Sequence, residues 1–456
     1  MIKKNTEGIT LIVLVITIVV LMILASVTVS TLTGDNGLIS FSKETKTEKI
    51  DEQVKKNIQT ELLEKKLGNS NGEISNEEIV AILEKYGTIN YDSDGNIESL
   101  QVTETDTEIP FDELYNQNVK TVSDGVTIPE GFYYVGGSKN TGLVISDNIV
   151  DKEKYKGKSN VGTDLEGNQF VWIEVPKTTT VYQTAGLNIS GFSETDLNSI
   201  KTDLINYAKE YRTDGYSDEW YDGCGVSQSD YSTMYNKMLK SVYQSGGFWI
   251  GRYELGDDNA TSTNTGRTSS TGTGNTPVIN ANKIPYNYIT CSQAESLAET
   301  FASSGYTSSL MFGVQWDLMM KYLETKGTSQ ADLKTNSTSL GNYINANFTV
   351  TNTLAKYSTD YGASWTAVPE AGYTKTENSS VLLTTGAGAR NNKMNIYDLA
   401  GNVCEWTLEY TSNSSYPCAG CGGYCDNSGS SFPAIYRNGY RTTFSDPIIG
   451  VRVSLY

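Results

Sequence analysis

The stretch MNIYDLAGNVCEWTLEY, residues 394–410, decides how the last part of this chain folds. Residues 398–403 combine Asp, Gly and Asn as a compact turn does, and the residues that follow have the aromatic and branched side chains of a strand. The chain closes on IIGVRVSLY, residues 448–456, in which residues 450–456 alternate in side-chain character and predict a half-buried final strand. Both ends of this region are therefore expected to be framework.

The residues between these two stretches have an unusual composition. From Tyr410 to Tyr456 there is no Lys, Glu, Gln, Met or Trp, and Tyr, Ser, Asn, Gly and Cys are frequent. Tyr supplies rigid contact area while Ser, Gly and Asn supply adaptable hydrogen bonds, a combination typical of antibody binding loops. Replacement of the adenines in AAC or AAT codons produces the same set of residues. An ordinary Ser/Gly-rich surface loop is the alternative that composition alone leaves open.

Several blocks of the chain resemble the formylglycine-generating-enzyme (sulfatase-modifying factor) family. Residues 397–407 (YDLAGNVCEWT) are similar to the family's "YDMAGNVWEWT" block, residues 421–423 to its "RGG", and residues 450–452 to its final "GFR". Further blocks follow the family order at residues 247–255, 277–301 and 311–323. The resemblance covers about residues 128–456, and it implies an α+β, C-type-lectin-like fold for residues 126–456.

One branch of this family has no enzyme activity and serves as the variable protein of diversity-generating retroelements, in which adenine-directed mutagenesis rewrites C-terminal positions. Residues 410–450, here called the variable segment, are similar to that branch because short fixed pieces alternate with chemically scattered positions. The fixed pieces are Gly422-Gly423, Ser428-Gly429, Pro433-Ala434, Arg437 and Thr442-Thr443. The resemblance implies a surface that binds an unknown protein or surface ligand, with these binding residues: Tyr424, Asp426, Asn427, Phe432, Ile435, Tyr436, Asn438, Tyr440, Arg441, Phe444 and Asp446. We expect the exposed aromatic residues among them to be the anchors.

The alternative function is that of the family's enzymes, a formylglycine-generating oxidase. Those enzymes bind copper and activate oxygen through two cysteines in a "C…YRC-A-A-R" context, whereas the matching residues 428–437 contain no cysteine. The chain also has no histidine, which removes the commonest general base and metal ligand. We therefore expect a binding protein and not an enzyme.

The family's Asp/Asn-x-x-Gly-x-x-x-Glu turn binds calcium, and the matching positions here are Asp398, Gly401, Val403 and Glu405. The alternative is a turn held by internal hydrogen bonds alone, and no other cofactor is expected. The six cysteines are even in number, which in an exported chain favours disulfides. Unpaired cysteines produced by diversification are the second interpretation, and a metal cluster at residues 404–425 is the third.

The beginning of the chain predicts a membrane anchor. Residues 9–33 contain no charge and are long enough to span a bilayer as a helix, after a short basic leader at residues 1–8. The Gly8-Ile9 junction resembles the type IV prepilin cleavage site, although the usual Glu at the fifth mature position is replaced by Val13. This departure favours a minor pilin-like subunit or a tethered display protein over a bulk filament subunit. The predicted location is the cell membrane, facing outwards, with pilin-like subunits as candidate partners and a purely structural pilin as a further alternative.

Between the anchor and the C-terminal domain the sequence predicts a stalk and a spacer. The membrane helix and stalk together take residues 9–67, because an amphipathic helical pattern continues over residues 41–67. The spacer takes residues 68–125, with a capping box at Ser75 and Glu78 and a hairpin over residues 88–102. Segments 182–230, 257–275 and 326–389 have the composition of surface loops. The net charge of −18 argues against nucleic acid as a partner.

Overall fold

The computed structural model describes residues 38–68, 74–92, 97–115, 125–189, 192–259, 274–303 and 305–456. The chain divides into two compact units, Met1–Gln117 and Asn118–Tyr456. The predicted apolar helix over residues 9–33 and the predicted cleavage site at Gly8 and Ile9 lie outside the described residues. No helix in the described part of the chain is both long and apolar enough to cross a membrane.

The described part of the first unit contains three helices and one antiparallel sheet in which the second strand is central. Its elements are α1 (Leu38–Gly68), α2 (Asn76–Leu83), β1 (Gly87–Tyr91), β2 (Ile97–Val102), β3 (Glu108–Pro110) and α3 (Phe111–Leu114). The predicted capping box is confirmed, since the Ser75 hydroxyl accepts from the Glu78 N–H and the Glu78 carboxylate accepts from the Ser75 N–H. The predicted hairpin is also confirmed by the pairing of β1 with β2.

The apolar face of α1 is buried in the core of this unit. Val54, Ile58 and Leu62 recur at helical spacing and pack in one cluster with residues of α2 and of the sheet, such as Leu83 and Leu100. The sequence predicted a boundary between stalk and spacer at residues 67 and 68. In the structure, the described parts of both segments pack in one core. Each of these short elements has only one apolar face, which is covered when they pack together.

The second unit mixes helices and strands, as an α+β class requires. Its helices are α4 (Glu194–Tyr207), α5 (Gln228–Ser245), α6 (Cys291–Ala298), α7 (Gly313–Thr325) and α8 (Gln330–Lys334). Its strands before residue 326 are β4 (Tyr133–Gly136), β5 (Val144–Ser146), β6 (Gln169–Glu174), β7 (Gly247–Gly251), β8 (Gly256–Asp257), β9 (Pro277–Val278), β10 (Ile284–Pro285) and β11 (Ser308–Leu310). The later strands are β12 (Phe348–Val350), β13 (Lys356–Ser358), β14 (Thr366–Ala367), β15 (Tyr373–Lys375), β16 (Leu382–Leu383), β17 (Cys404–Tyr410), β18 (Cys418–Cys421), β19 (Arg437–Tyr440), β20 (Ile449–Val451) and β21 (Val453–Leu455).

The largest sheet has six antiparallel strands in the order β11-β21-β7-β6-β5-β4. Trp172 of β6 lies opposite Trp249 of β7, and their rings meet edge to face with centroids 5.0 Å apart. The final strand β21 lies between β11 and β7, and its residues are buried on both faces. The prediction of a half-buried final strand was therefore wrong, because residues 450–456 divide between β20 and β21 of two different sheets and are all buried.

A second sheet carries the variable segment, with strand order β19-β18-β17-β20. The β17–β18 and β18–β19 pairs are antiparallel, while β17 and β20 run parallel. The strand β17 belongs to the stretch at residues 394–410, which we call the framework block. The variable segment is therefore paired directly to the framework block.

Two of the segments expected to be surface loops contain secondary structure and core residues. Residues 182–230 include the helix α4, where Ile200 and Leu204 are buried one turn apart. Residues 326–389 include α8 and the five strands β12 to β16. Although these segments are rich in Ser, Thr and Asn, they also contain a few apolar residues at regular spacing. Composition alone therefore gave the wrong prediction. For segment 257–275, residues 260–273 lie outside the described part.

Candidate functional site

The sheet that carries the variable segment has different side chains on its two faces. Cys421 lies opposite Arg437, and Gly420 lies opposite Asn438. Side chains alternate between the faces of a strand, so Arg437 faces one side while Asn438 and Tyr440 face the other. We call these the inner face and the outer face of the sheet.

The inner face carries an ion cluster that is buried except at Arg212, whose side chain is 15 % exposed. Arg437 donates from Nε to Glu409 at 2.6 Å and from Nη2 to Asp317 at 2.5 Å. Arg212 donates to the same two carboxylates and to Asp218. Burial raises the pKa of Glu409 to about 7, although the two arginines lower it. The cluster therefore holds three carboxylates against two guanidinium groups inside the protein.

Asp218 connects this cluster to the start of α7. Its carboxylate accepts hydrogen bonds from the N–H groups of Gly313 at 2.6 Å and Val314 at 3.0 Å. These are the first two residues of α7, whose free N–H groups favour an anion. Neither Arg212 nor Asp218 was expected from the sequence, because both lie in a segment with the composition of a loop.

Two of the four positions predicted for calcium, Glu405 and Asp398, are engaged by other groups of the protein. Arg452 contacts both oxygens of Glu405 from Nε at 3.0 Å, and its Nη2 lies 2.6 Å from Oε1. Asp398 accepts from the Gly386 N–H at 2.6 Å and from Asn391 at 3.3 Å. A cation at Glu405 would have to displace a buried guanidinium or lie against it. Among the described residues, no group of three or more Cys, Asp or Glu is placed to hold a metal ion.

The outer face is covered by an aromatic cluster. The Tyr440 ring stacks on Phe444 with centroids 4.5 Å apart and meets Trp406 edge to face at 5.4 Å. Gly420 makes room for it, since a Cβ there would lie 2.8 Å from the Tyr440 ring. Tyr440 is only 8 % exposed, so it packs on the sheet and is not the exposed anchor that the sequence predicted. Burial also raises its pKa far above the ordinary range.

Nine of the eleven predicted binding residues reach the surface. Asp426 and Arg441 are exposed, and the half-exposed ones are Tyr424, Phe432, Ile435, Tyr436, Asn438, Phe444 and Asp446. Asn427 is the second buried exception, because its side-chain oxygen accepts from the Tyr424 N–H at 3.1 Å and shapes the loop. The sequence thus predicted the surface positions better than the positions that support them.

The structure brings several of these surface residues together. Phe432 and Tyr436 meet edge to face with centroids 4.6 Å apart. Tyr440 and Phe444 form a second aromatic pair in the same segment, with ring centroids 4.5 Å apart. Arg441 lies farther along, with its guanidinium 5.5 Å from the centre of the Tyr416 ring. We call the surface formed by these residues and Tyr424 the aromatic face.

Four tyrosines outside the predicted set border the aromatic face. Tyr361 interacts with Asp426 and is 38 % exposed, and Tyr416 lies under Arg441 and is 42 % exposed. Tyr216 donates its hydroxyl to the Arg437 carbonyl at 3.1 Å, and the Tyr288 N–H donates to the Asp446 carbonyl at 3.1 Å. They come from four separate segments, so no spacing in the sequence connects them. The high Tyr content of the chain was the only signal.

All six cysteines are buried free thiols in the structure. The disulfides predicted from their even number are not formed there, and the four cysteines at residues 404–425 do not make one cluster. Cys404 lies on the outer face beneath Tyr440, whereas Cys421 lies near Arg437 on the inner face. The alternation of β17 and β18 accounts for this separation.

Comparison with known proteins adds no relative to this description. No protein-family model, no curated protein and no solved structure matches the chain.

Proposed function

We propose that this chain is a surface-displayed ligand-binding protein whose C-type-lectin-like domain presents a diversified binding surface. The observation that carries the proposal is the division within the variable segment. Its fixed pieces at residues 422–423, 433–434 and 437 are buried, although Ser428 and Thr442-Thr443 are not, whereas nine of the eleven predicted binding residues reach the surface. Display at the membrane, with a pilin-like anchor, rests on the sequence of residues 1–33.

Contacts of the fixed pieces hold the segment in place. Arg437 joins the inner ion cluster, and the Ala434 carbonyl accepts from the indole N–H of Trp316 at 3.2 Å. At Gly429, a Cβ would lie 2.4 Å from the Thr338 nitrogen. Replacement of Arg437 would leave buried carboxylates unpaired, and a side chain at residue 429 would force the backbone to move.

The scattered positions, by contrast, must accept substitutions without loss of the fold. Phe432 and Tyr436 contact each other at the surface, and Asp426 and Arg441 are exposed. Substitutions at such positions change stability little, so the surface can be rewritten while the scaffold stays folded. This is the property that a diversified binding protein needs.

The chemistry of the aromatic face suits a protein or another ligand with apolar surface. Tyr and Phe side chains bury large areas at a small entropy cost. The two acidic residues Asp426 and Asp446 and the basic residue Arg441 would determine which charges on a ligand are preferred. The net charge of −18 argues against nucleic acid as that ligand.

A substitution series tests the scaffold part of the proposal. The variant with Tyr424→Ser, Phe432→Ser and Tyr436→Ser together should keep the far-UV circular dichroism of the native chain and nearly its urea midpoint. The control variant Arg437→Ser, a single change in the same segment, should lower the midpoint strongly. If the triple variant loses as much stability as this control, the aromatic residues belong to the core and the proposal fails.

The DNA beside the gene tests the diversification part. We expect a near-copy of the sequence encoding residues 410–450, next to a reverse-transcriptase reading frame and differing only at adenines. The differences should fall in codons of scattered positions such as Tyr424 and Tyr436, and the codon of Arg437 should be unchanged. If the flanking DNA contains no such copy, the surface is fixed, and a single dedicated ligand replaces the diversified one.

A further inference from the structure

Lys326 lies against a carboxylate and a side-chain amide at the same time. It directly follows α7, and its Nζ donates to Glu174 Oε2 at 2.9 Å and to Asn140 Oδ1 at 3.2 Å. Glu174 is the last residue of β6, and Asn140 lies in the loop between β4 and β5. An amine, an amide and a carboxylate from three separate segments therefore meet at one point of the second unit.

The groups around Lys326 hold its amine in place. The Lys326 side chain is only 14 % exposed, and that of Glu174 is 23 % exposed. The Tyr322 ring lies beside the amine, with its centre 5.6 Å from Nζ. Lys139 is a second charged group nearby, and its Nζ lies 3.9 Å from Glu174 Oε1. Glu174 thus faces the two lysines through different oxygens and keeps Oε2 against Lys326.

Two other lysines of the second unit have contacts of a different kind. Lys321 pairs with the carboxylates of Glu210 and Glu324. Lys375 is buried, and its Nζ donates to backbone carbonyls, including that of Tyr343 at 2.7 Å. Neither set of contacts contains a side-chain amide, whose nitrogen can leave as ammonia when an amine attacks its carbon.

We propose that Lys326 and Asn140 form an isopeptide bond, with Glu174 as the group that moves the protons. Glu174 takes one proton from the Lys326 ammonium group, and the neutral Nζ attacks Cγ of Asn140. Glu174 passes this proton to Nδ2, which leaves as ammonia when the Cγ–Nδ2 bond breaks. The second proton lost by Nζ passes through Glu174 to the ammonia, which departs as ammonium. Glu174 is a carboxylate again at the end, and the exchange needs no oxidant and no further reactant.

The positions of the three groups permit this exchange. Nζ already lies within hydrogen-bond distance of Oδ1, so a rotation of the Asn140 side chain brings Cγ towards the amine. Asn140 is an exposed loop residue, which leaves room for the rotation and a path into solvent for the ammonia. The bond would join the end of α7 to the β4–β5 loop, between two residues 186 positions apart. This inference does not rest on the proposed function.

The mass of the purified full chain in detergent tests the bond. We expect this mass to be lower than the mass calculated from the sequence by that of one ammonia molecule. Trypsin should yield residues 140–152 linked to residues 322–334, because it does not cleave after a lysine whose amine is part of an amide. An unchanged mass of the full chain, with residues 322–326 and 327–334 released as separate peptides, would overturn the proposal.

Variants identify the groups that react. Lys326→Arg keeps a positive charge beside Glu174 and should lose both the link and the mass difference. Glu174→Gln keeps a hydrogen-bond acceptor for Lys326 but cannot take its proton, and it should slow the formation of the link by roughly 100-fold or more. Lys321→Arg, one turn earlier, is the matched control and should form the link as the native chain does. Circular dichroism should show the native fold in all three variants.

Two results in these variants would also contradict the bond. If the mass difference persists in Lys326→Arg, the ammonia is lost without Lys326, as happens when an asparagine cyclises onto its own backbone. If Glu174→Gln forms the link as fast as the native chain, Glu174 does not carry the protons. The linked native chain should also have a higher thermal midpoint than Lys326→Arg, since the bond restricts the unfolded chain over a long loop.

Discussion

Arg437 Nε lies 2.6 Å from Oε2 of Glu409, and neither side chain reaches solvent. Glu409 belongs to β17 of the framework block, while Arg437 is the first residue of β19 in the variable segment. The pair therefore ties the segment that carries the surface positions to the part of the fold that the sequence identified most clearly. Its geometry explains why an arginine is needed at a position surrounded by scattered residues.

Removal of the Arg437 charge should destabilise the second unit severely. The variant Arg437→Met leaves Glu409 and Asp317 without one of their two arginines, and breaking a buried pair in this way costs about 3–5 kcal/mol. Urea denaturation should show the loss in the free energy of unfolding. Arg441→Met, at an exposed position four residues later, is the matched control and should change the value by less than about 0.5 kcal/mol. Equal losses in the two variants would contradict the ion-cluster interpretation.

Tyr440 and Tyr436 should respond differently to truncation, although the sequence placed both among the anchors. Tyr440→Ala removes a ring that packs on Trp406 and Phe444, and large-to-small changes of buried aromatics cost about 3–5 kcal/mol. Tyr436→Ala removes a half-exposed ring and should cost about 1 kcal/mol or less. The difference between the two free energies of unfolding is the measurement. A larger loss for Tyr436 would contradict the difference in burial between the two rings.

The turn in the framework block should require glycine at residue 401. Gly401 and Gly157 share a φ of +73°, but a Cβ at Gly401 would lie 2.5 Å from the Asn342 carbonyl oxygen, while none of the described residues comes within 4 Å at Gly157. Gly157→Ala should therefore cost only the strain of a left-handed backbone, about 1–2 kcal/mol. Gly401→Ala adds a backbone clash and should lose several kcal/mol more or fail to fold. Similar unfolding midpoints for the two variants would argue against the close approach.

Local patterns predicted the elements of the fold better than the contacts of the site. The Ser75–Glu78 capping box and the hairpin of β1 and β2 were predicted from local patterns, because each depends on residues close together in sequence. The burial of Tyr440 was not predictable in this way, since it depends on Trp406 from another strand and on the space above Gly420.

Residues that reach the site from distant segments were missed for the same reason. Arg212 and Asp218 complete the ion cluster from a segment with the composition of a loop, and Tyr361 reaches Asp426 from another such segment. Their roles exist only once the chain has folded. The aromatic face is therefore partly a property of the variable segment and partly of the segments that border it.

Glu295 should make the stability of the chain depend on pH. Its carboxyl group is fully buried in α6, where Oε2 accepts from the Leu310 N–H at 2.8 Å. Oε1 has no hydrogen-bond partner among the described residues. Burial raises the pKa of Glu295 from its ordinary value of 4.5 to about 8. The folded chain therefore binds this proton more tightly than the unfolded chain does.

The sign of the effect follows from this difference. The contribution of Glu295 to stability is complete below pH 4.5 and is lost as the pH rises towards 8. Glu295→Gln keeps the acceptor for Leu310 and removes the ionisation. The variant should match the native chain at pH 5 and exceed its free energy of unfolding at pH 8 by on the order of a few kcal/mol.

Urea denaturation of the two proteins at several pH values measures this difference directly. Other buried carboxyl groups, such as Glu405 with a pKa of about 6, titrate in the same range, so the native chain is the reference at each pH. Glu130→Gln, at an exposed position outside α6, is the control and should follow the native curve closely. Parallel curves for Glu295→Gln and the native chain between pH 5 and 8 would mean that Glu295 ionises normally and is not held in the core.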